Sequence, residues 1–114
     1  MQIRLYLDED AMDGDLTRAL RLRGALDAGL IHTPDAMHLE HASLNGRTLY
    51  SFNVGHYMEL HTKYMNAGRT HVGLILSQQQ RYSVGEQMRR LVRLVQMKSA
   101  ESMRNRVEFL SAWG

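Results

Sequence analysis

The sequence contains no cysteine among its 114 residues. Without thiols the chain can form neither disulfides nor thiolate zinc sites, and a cysteine nucleophile is excluded. It also lacks any apolar run near the roughly 20 residues that a membrane-spanning helix needs, and its first residues carry no basic-then-apolar signal pattern. These absences favour a cytoplasmic protein with no membrane partner.

The length and composition predict a single domain over residues 1–114. Hydrophobic residues make up 44% of the chain and charged residues 23%, which is near the average of globular proteins and excludes wholesale disorder. A chain of this length can bury one core but not two. Segments typical of strands and of helices alternate without an internal repeat, and this alternation predicts an α/β fold with a parallel sheet.

An apolar stretch near the start ends abruptly in three adjacent acids, Asp8, Glu9 and Asp10. The preceding residues 3–7 alternate between aliphatic and other side chains, as a core strand does. In an open α/β sheet, ligands bind beyond the carboxyl ends of the strands. Clustered carboxylates repel one another unless a cation or protons neutralise them, and oxygen ligands suit Mg²⁺ or Mn²⁺. The stretch therefore predicts a divalent-metal site.

Two later segments place polar side chains at similar positions. Thr33-Pro34-Asp35 combines a hydroxyl cap, a proline and an acid, and predicts a helix over 35–44 with Asp35 in its first turn. Residues 47–52 predict a strand with Asn53 at its carboxyl end, followed by a helix over 57–67. Asn53 can offer a carbonyl oxygen to a cation, but asparagine is also a common turn residue. Asp35 can equally serve only the helix dipole.

The second half of the chain predicts one more strand and two helices. The strand covers 71–76, a helix opens at Ser83 with capping-box spacing and runs to about 98, and a last helix covers 100–113. Basic residues gather here, whereas the acids gather near the start. A site lined by Asp8, Glu9 and Asp10, which we call the acidic mouth, beside a basic surface suits a metal-dependent enzyme that acts on a polyanion. A solvated helix face explains the basic residues more simply.

One expected element is missing from the sequence pattern. The sequence predicts a first helix that is capped by Asp13 or Asp15 and runs to about Arg23, with Gly24 as its stop. A parallel crossover should then deliver a second strand. Residues 25–32 are too few and too poor in β-branched side chains to predict one, so we expect the strand after Gly24 to be absent.

The six histidines give weaker signals. His38 and His41 recur with Asp35 along one helix face, but no His-Glu-x-x-His arrangement accompanies them, so they predict a metal site only weakly. His32 and His56 flank the acidic mouth and are better placed to reach it. A surface or hydrogen-bonded histidine is the simpler interpretation of each.

Four segments carry a family resemblance: Ile-Arg-Leu-Tyr-Leu-Asp-Glu-Asp at 3–10, Thr-Pro-Asp-Ala-Met-His-Leu-Glu-His-Ala at 33–42, Thr-Leu-Tyr-Ser-Phe-Asn-Val-Gly at 48–55, and Gln-Gln-Arg-Tyr-Ser-Val-Gly-Glu at 79–86. In this order and spacing they resemble a bacterial PIN-like family of small uncharacterised proteins, related to VapC-type toxin ribonucleases. The similarity covers nearly the whole chain. It implies a PIN-like three-layer fold, in which helices flank a small parallel sheet.

The resemblance also implies a divalent-metal-dependent endoribonuclease of a toxin-antitoxin pair, with RNA as substrate and a small antitoxin protein as partner; a homodimer is left open. Its site residues would be Asp8, Asp10 and Asp35 as ligands of Mg²⁺ or Mn²⁺, with Asn53 where relatives often carry aspartate. If the strand continues, its alternation points Glu9 away from Asp8 and Asp10, so Glu9 would lie behind the ligands or act as a partly exposed base. His56 would also lie behind them, and it stands where the related pattern Asn-Val-Gly-Asp-Phe has an acid. The arginines expected to guide RNA are Arg81, Arg89, Arg90 and Arg93.

Other classes remain as alternatives. With Asn53 and His56 both neutral, the chain could be a catalytically weakened or inactive PIN-like module that acts through protein or RNA binding. The Asp8-x-Asp10 pair also resembles haloacid-dehalogenase-like phosphatases, but their later lysine and cap domain are not evident. A phosphoacceptor receiver domain would need an aspartate where Asn53 stands and a lysine where Ser77 follows a strand. The sequence therefore fits the phosphatase and the receiver domain poorly.

Overall fold

The computed structural model describes residues 2–7, 26–28 and 35–114. Its centre is a five-stranded sheet in the order β2-β1-β3-β4-β5, and all four neighbouring pairs are parallel. The strands are β1 (Leu5–Leu7), β2 (Leu26–Ala28), β3 (Thr48–Ser51), β4 (Leu74–Leu76) and β5 (Val107–Phe109). The predicted α/β class with a parallel sheet is thereby confirmed.

Helices cover both faces of this sheet. In the described part of the chain they are α1 (Asp35–Leu44), α2 (Val54–Asn66), α3 (Val84–Met97) and the short α4 (Ala100–Met103), followed by a 3₁₀ turn at Leu110–Trp113. None of these helices is long and apolar enough to cross a bilayer.

The face that carries α1 and α2 is closed by side chains that alternate along the strands. Tyr6, Leu49 and Leu74 point to this side, and they form one buried cluster with Leu39 of α1 and Tyr57 of α2. Because successive strand residues point to opposite faces, the strand neighbours of these residues point to the other face of the sheet.

The opposite face carries α3, α4 and the 3₁₀ turn. Leu7, Tyr50 and Ile75 occupy three neighbouring strands in register and are buried against Leu91 of α3 and Met103 of α4. Both faces of the central strands are therefore dry. This burial explains why β4 is a continuous apolar run rather than an alternating one.

The strand β2 corrects one prediction. We expected no strand after Gly24, yet Leu26–Ala28 pairs in parallel with β1, with Leu5 opposite Leu26 and Leu7 opposite Ala28. Parallel pairing is made by backbone groups, so a three-residue strand at the sheet edge forms without β-branched side chains. The strand order depends on this element, because it puts β1 inside the sheet.

The predicted last helix over 100–113 is wrong. Helix α4 ends at Met103, and the chain then forms β5, which pairs with β4. Asn105 has φ 62°, a left-handed conformation that interrupts the helix. It is held there by His71, whose carbonyl accepts the Asn105 N–H at 3.0 Å and whose N–H donates to Asn105 Oδ1 at 2.9 Å.

The other elements agree with the sequence to within a few residues. Helix α1 ends at Leu44 as predicted, and α2 starts three residues earlier than the predicted position 57. Ser83 caps α3, since its Oγ accepts the Glu86 N–H at 3.2 Å. The predicted first helix, between residue 13 or 15 and residue 23, lies outside the described residues.

Candidate functional site at the carboxyl edge of the sheet

The strand order reverses between β1 and β3. From β1 the chain goes to β2 on one side, and it later returns to place β3, β4 and β5 on the other side. At such a reversal the connections leave the sheet in opposite directions, and a crevice opens beyond the carboxyl ends of the two strands. Leu7 ends β1 and lies in register with Tyr50, one residue before the end of β3. This edge is the candidate site.

The start of α1 lies at the same edge. Helix α1 ends at Leu44, just before β3 begins at Thr48 at the opposite, amino edge. Its ten residues span about 15 Å, so its first residue, Asp35, lies back at the carboxyl edge. A hydrogen bond fixes this arrangement, because Tyr6 Oη of β1 lies 3.0 Å from His38 Nδ1 in the first turn of α1.

The acids predicted to bind metal cannot be compared with the structure. Asp8, Glu9 and Asp10 lie outside the described residues, as does His32, and of Asp35 only the backbone is described. Among the side chains that are described, no three of the types His, Asp, Glu or Cys are grouped to hold a metal ion. The metal site thus stays a prediction.

Asn53 and His56 are brought together at the start of α2. The Asn53 N–H donates to Ser51 Oγ at 3.0 Å, which turns the chain from β3 into the helix. The Asn53 side chain does not cap α2; its Nδ2 lies 3.4 Å from His56 Nδ1, and His56 is exposed. A neutral amide and an imidazole therefore stand at the crevice where an acid would attract a cation more strongly.

A cleft of about 150 Å³ opens beside this edge, at the ends of β4 and β5, and we call it the β4–β5 cleft. It is lined by Val54, Leu76, Ser77, Gln78, Arg81, Tyr82, Phe109 and Ser111. Of these residues, only Arg81 is a candidate from the sequence. In the sequence, the polar stretch that directly follows the buried strand β4 is the signal that could indicate this cleft. The other side of the cleft comes from β5, which the sequence does not predict.

Residues 77–82 are attached to the core by a buried network. The Ser77 N–H donates to the Ser51 carbonyl at 3.1 Å, which continues the β3–β4 pairing. Tyr50 Oη donates to Gln87 Oε1 at 2.9 Å, and Gln87 Nε2 donates to the Tyr82 carbonyl at 3.2 Å. Burial raises the pKa of Tyr50 above its ordinary value, so the phenol stays a neutral donor.

The four candidate arginines have different surroundings. Arg90 donates from Nε to Glu86 Oε2 at 2.7 Å and from Nη1 to the Leu110 and Ser111 carbonyls, and its guanidinium lies 4.2 Å from the centre of the Tyr82 ring. These contacts occupy most of its donors and give it a structural role.

The remaining three arginines are exposed. Arg89 forms a two-point ion pair with Glu86, and its hydrogen bonds, together with those of Arg90, lower the pKa of Glu86 to about 2. Arg93 donates to the Gly114 carbonyl at 3.1 Å. Arg81 lies on the rim of the β4–β5 cleft. Of the four, Arg81 is the one that lines the β4–β5 cleft.

The histidines of α1 do not form an exposed ligand pair. His38 is fully buried, with Nδ1 bonded to Tyr6 and, within the described part of the chain, no partner for Nε2. His41 is half-buried one turn later. His38 is therefore a core histidine that joins α1 to β1.

No protein-family model, curated protein or solved structure matches this chain.

Proposed function

We propose that the protein is a divalent-metal-dependent endoribonuclease with a PIN-like fold, acting as the toxin of a toxin-antitoxin pair. The proposal assigns hydrolysis of RNA phosphodiesters to the carboxyl edge of the sheet. A small antitoxin protein is the partner this proposal requires, and a homodimer is compatible with it.

The observation that carries the proposal is the meeting of three chain segments at one edge. β1 ends there at Leu7, immediately before the three acids in the sequence. Helix α1 starts there at Asp35, and Asn53 follows the neighbouring strand β3. Open parallel sheets bind their ligands at such a reversal of strand order. Three segments that are far apart in the sequence thus reach one edge of the sheet, and each of them contains or directly precedes an oxygen-bearing residue in the sequence.

The chemistry of these residues fits a hard cation. Asp8, Asp10 and Asp35 carry carboxylates and Asn53 a carbonyl oxygen, which are the ligands that Mg²⁺ and Mn²⁺ prefer. A bound cation would supply stabilisation of the charge that develops on the phosphate. The role of the acids is to hold that cation at the strand ends.

Exposed arginines would hold the RNA backbone. Arg81 lies beside the edge, and Arg89 and Arg93 lie along α3. A guanidinium matches the two oxygens of a phosphate, so such side chains position RNA without reading its sequence. Arg90 is left out of this set because its side chain is largely buried against the protein, whereas Arg89 and Arg93 are exposed.

The test is cleavage of RNA by the purified chain with Mg²⁺ or Mn²⁺. Asp8→Asn keeps the shape of the side chain but removes its charge, and we expect it to abolish cleavage. Calorimetry should show weaker Mn²⁺ binding by the same variant. Equal cleavage by wild type and Asp8→Asn would exclude the mechanism.

A matched pair on α1 separates metal binding from helix capping. Asp35→Asn should abolish cleavage, whereas Glu40→Gln, an exposed carboxylate on the same helix, should leave it unchanged. Loss of the Asp35 charge also weakens the helix dipole interaction by about 0.3–1 kcal/mol. Asp35→Glu retains that interaction but moves the carboxylate. If Asp35→Glu kept full activity, the position of the carboxylate would not matter for cleavage. Combined with a lower stability of Asp35→Asn, this result would assign Asp35 to helix capping alone.

A second candidate is a weakened or inactive PIN-like module that binds RNA or protein. It is favoured by the contact between Asn53 and His56 at the crevice, since neither residue is an acid. This alternative expects identical metal-binding isotherms for wild type and Asp8→Asn, and no cleavage by either.

A further inference from the structure

We propose that the β4–β5 cleft binds one unstacked pyrimidine base of the RNA. The proposal rests on the proposed function and adds a substrate preference to it. The cleft adjoins the carboxyl edge, because Val54 in its wall directly follows Asn53. The base held there would belong to a nucleotide next to the bond that is cleaved.

The size of the cleft selects a single ring. Its volume is about 150 Å³. A protein cavity of about 150 Å³ accepts benzene, which is one six-membered ring. A pyrimidine is also one six-membered ring, whereas a purine has a second ring fused to it. The cleft thus has room for one such ring, and the second ring of adenine or guanine would extend out of it.

Phe109 supplies an aromatic surface for that ring. It ends β5, lies in register with Leu76, and is 41% exposed. The other aromatic residue of the cleft, Tyr82, already has the Arg90 guanidinium 4.2 Å and the Arg81 guanidinium 5.3 Å from its ring centre. Stacking on an aromatic side chain is a common way to bind unpaired bases. Phe109 is thus the ring available to a ligand.

Polar groups line the rest of the cleft. The Gln78 side chain is exposed and offers both a donor and an acceptor, as the edge of a pyrimidine does. Ser77 is 5% exposed, and its hydroxyl donates to the Gln78 carbonyl at 3.5 Å, the outer limit of a hydrogen bond. Ser111, which follows β5, is a further polar residue of the lining.

Arg81 gives the rim a positive charge. Within the described residues no carboxylate forms an ion pair with it. A base bound in the cleft brings its own phosphate to the rim, where the guanidinium can contact it. Ring, polar edge and phosphate are thus each matched by a different part of the cleft.

The test is the binding of fluorescein-labelled RNA hexamers U₆, C₆ and A₆ to the full chain, measured by fluorescence anisotropy in EDTA so that no divalent cation supports cleavage. We expect U₆ and C₆ to bind at least about 5-fold more tightly than A₆, which is the lower end of the affinity gained from stacking one base. Phe109→Ala should remove this preference, and Phe109→Tyr should retain it. Met97→Ala is the control, because Met97 is an exposed apolar side chain on α3 outside the cleft.

Equal affinity of wild type for the three hexamers would overturn the proposal, and so would a folded Phe109→Ala with an unchanged preference. Should Phe109→Ala not fold, Ser111→Phe tests the same cleft by filling it from an exposed position, and it should also lose the preference. A folded Ser111→Phe that keeps the preference would count against the proposal.

Cleavage assays separate this proposal from the previous one. A pyrimidine preference that depends on Phe109 without any RNA cleavage would leave the base site standing and exclude the nuclease. Metal-dependent cleavage combined with equal binding of the hexamers would exclude the base site and leave the nuclease.

Discussion

The imidazoles of His61 and His71 meet nearly at right angles, with His61 Nδ1 2.8 Å from His71 Nε2. The Gly73 N–H donates to His71 Nδ1 at 3.0 Å. Since Nδ1 accepts, the proton of the neutral ring is on Nε2, which therefore donates to His61. His71 is buried at the entry to β4, where a charged imidazole would lose this hydrogen bond from Gly73.

This geometry predicts that stability falls as the pH is lowered. Burial, and secondly the neighbouring His61, lowers the pKa of His71 to about 4 from its ordinary 6.5. Between these values the unfolded chain binds a proton that the folded chain does not, so the free energy of unfolding decreases from pH 6.5 towards pH 4. The size of this effect is roughly 2 to 3 kcal/mol. Urea unfolding at pH 7.5, 6, 5 and 4.5 measures it.

Two controls assign the effect to this residue. In NMR titrations the ring protons of His71 should show a midpoint near pH 4. His71→Gln should flatten the pH dependence of the free energy of unfolding. His56→Gln, which removes an exposed histidine, should leave the slope of that dependence unchanged. A His71 midpoint near 6.5 would contradict the prediction.

Gly73 gives a second prediction, because it packs directly against Met103. Its φ is +107°, and a Cβ built there would lie 2.9 Å from Met103 Cβ and closer still to the Met103 carbonyl oxygen. Gly73→Ala therefore combines backbone strain with overpacking in the core, and we expect a loss of roughly 2–4 kcal/mol of stability. Gly85→Ala on α3 is the control, since no atom lies within 4 Å of the position that its added methyl group would take. Equal free energies of unfolding for the two variants in urea would refute this account of how β4 packs.

The third prediction concerns the buried hydrogen bond between Tyr50 and Gln87. Tyr50→Phe removes the donor and leaves Gln87 Oε1 without it, which should cost about 1–2 kcal/mol. Gln87→Met removes the acceptor and also the bond to the Tyr82 carbonyl, so it should cost at least as much. The double variant should lose at least about 0.5 kcal/mol less than the sum, because both single variants break the same contact. Strict additivity in urea unfolding would show that the pair is not coupled.

The fourth prediction separates two arginines. Arg90→Ala should lower stability by roughly 1–3 kcal/mol, because it breaks a half-buried set of contacts with Glu86, the Tyr82 ring and the 3₁₀ turn. Arg81→Ala should leave stability within about 0.5 kcal/mol and weaken RNA binding instead. For a phosphate contact, the slope of log affinity against log salt should decrease by about 0.7. An Arg81→Ala variant with an unchanged salt slope would remove Arg81 from the RNA-binding set.

The start of α3 shows which parts of the fold are predictable from the sequence. Ser83 and Glu86 have capping-box spacing, and the Ser83 hydroxyl indeed accepts the Glu86 N–H. The apolar positions of the helix recur at the period of one helix face. Here the local capping signal and the apolar face indicate the same helix, so the sequence alone is sufficient to predict α3.

The segment after Met103 shows why other parts are not predictable. Met103, Val107 and Leu110 have helical spacing, which led to the wrong prediction of a helix. The left-handed Asn105 is stabilised by two hydrogen bonds to His71, more than 30 residues earlier in the chain. Such a contact between distant segments outweighs the local pattern. For the same reason Phe109, and with it one wall of the β4–β5 cleft, is found only in the structure.

The last prediction tests whether the lack of an acid at position 53 limits the activity of the proposed nuclease. Asn53 precedes α2 at the carboxyl edge, beside the proposed metal site. Asn53→Asp adds a carboxylate there, and its charge also favours the helix N-terminus. We expect Mn²⁺ to bind at least about 10-fold more tightly by calorimetry, with faster RNA cleavage. The matched control is Asn66→Asp at the other end of α2, which adds the same charge far from this edge and should change neither property. If Asn53→Asp bound Mn²⁺ no better than Asn66→Asp, the oxygen of residue 53 would lie outside the metal site, and the ligand set would have to be built from the acids alone.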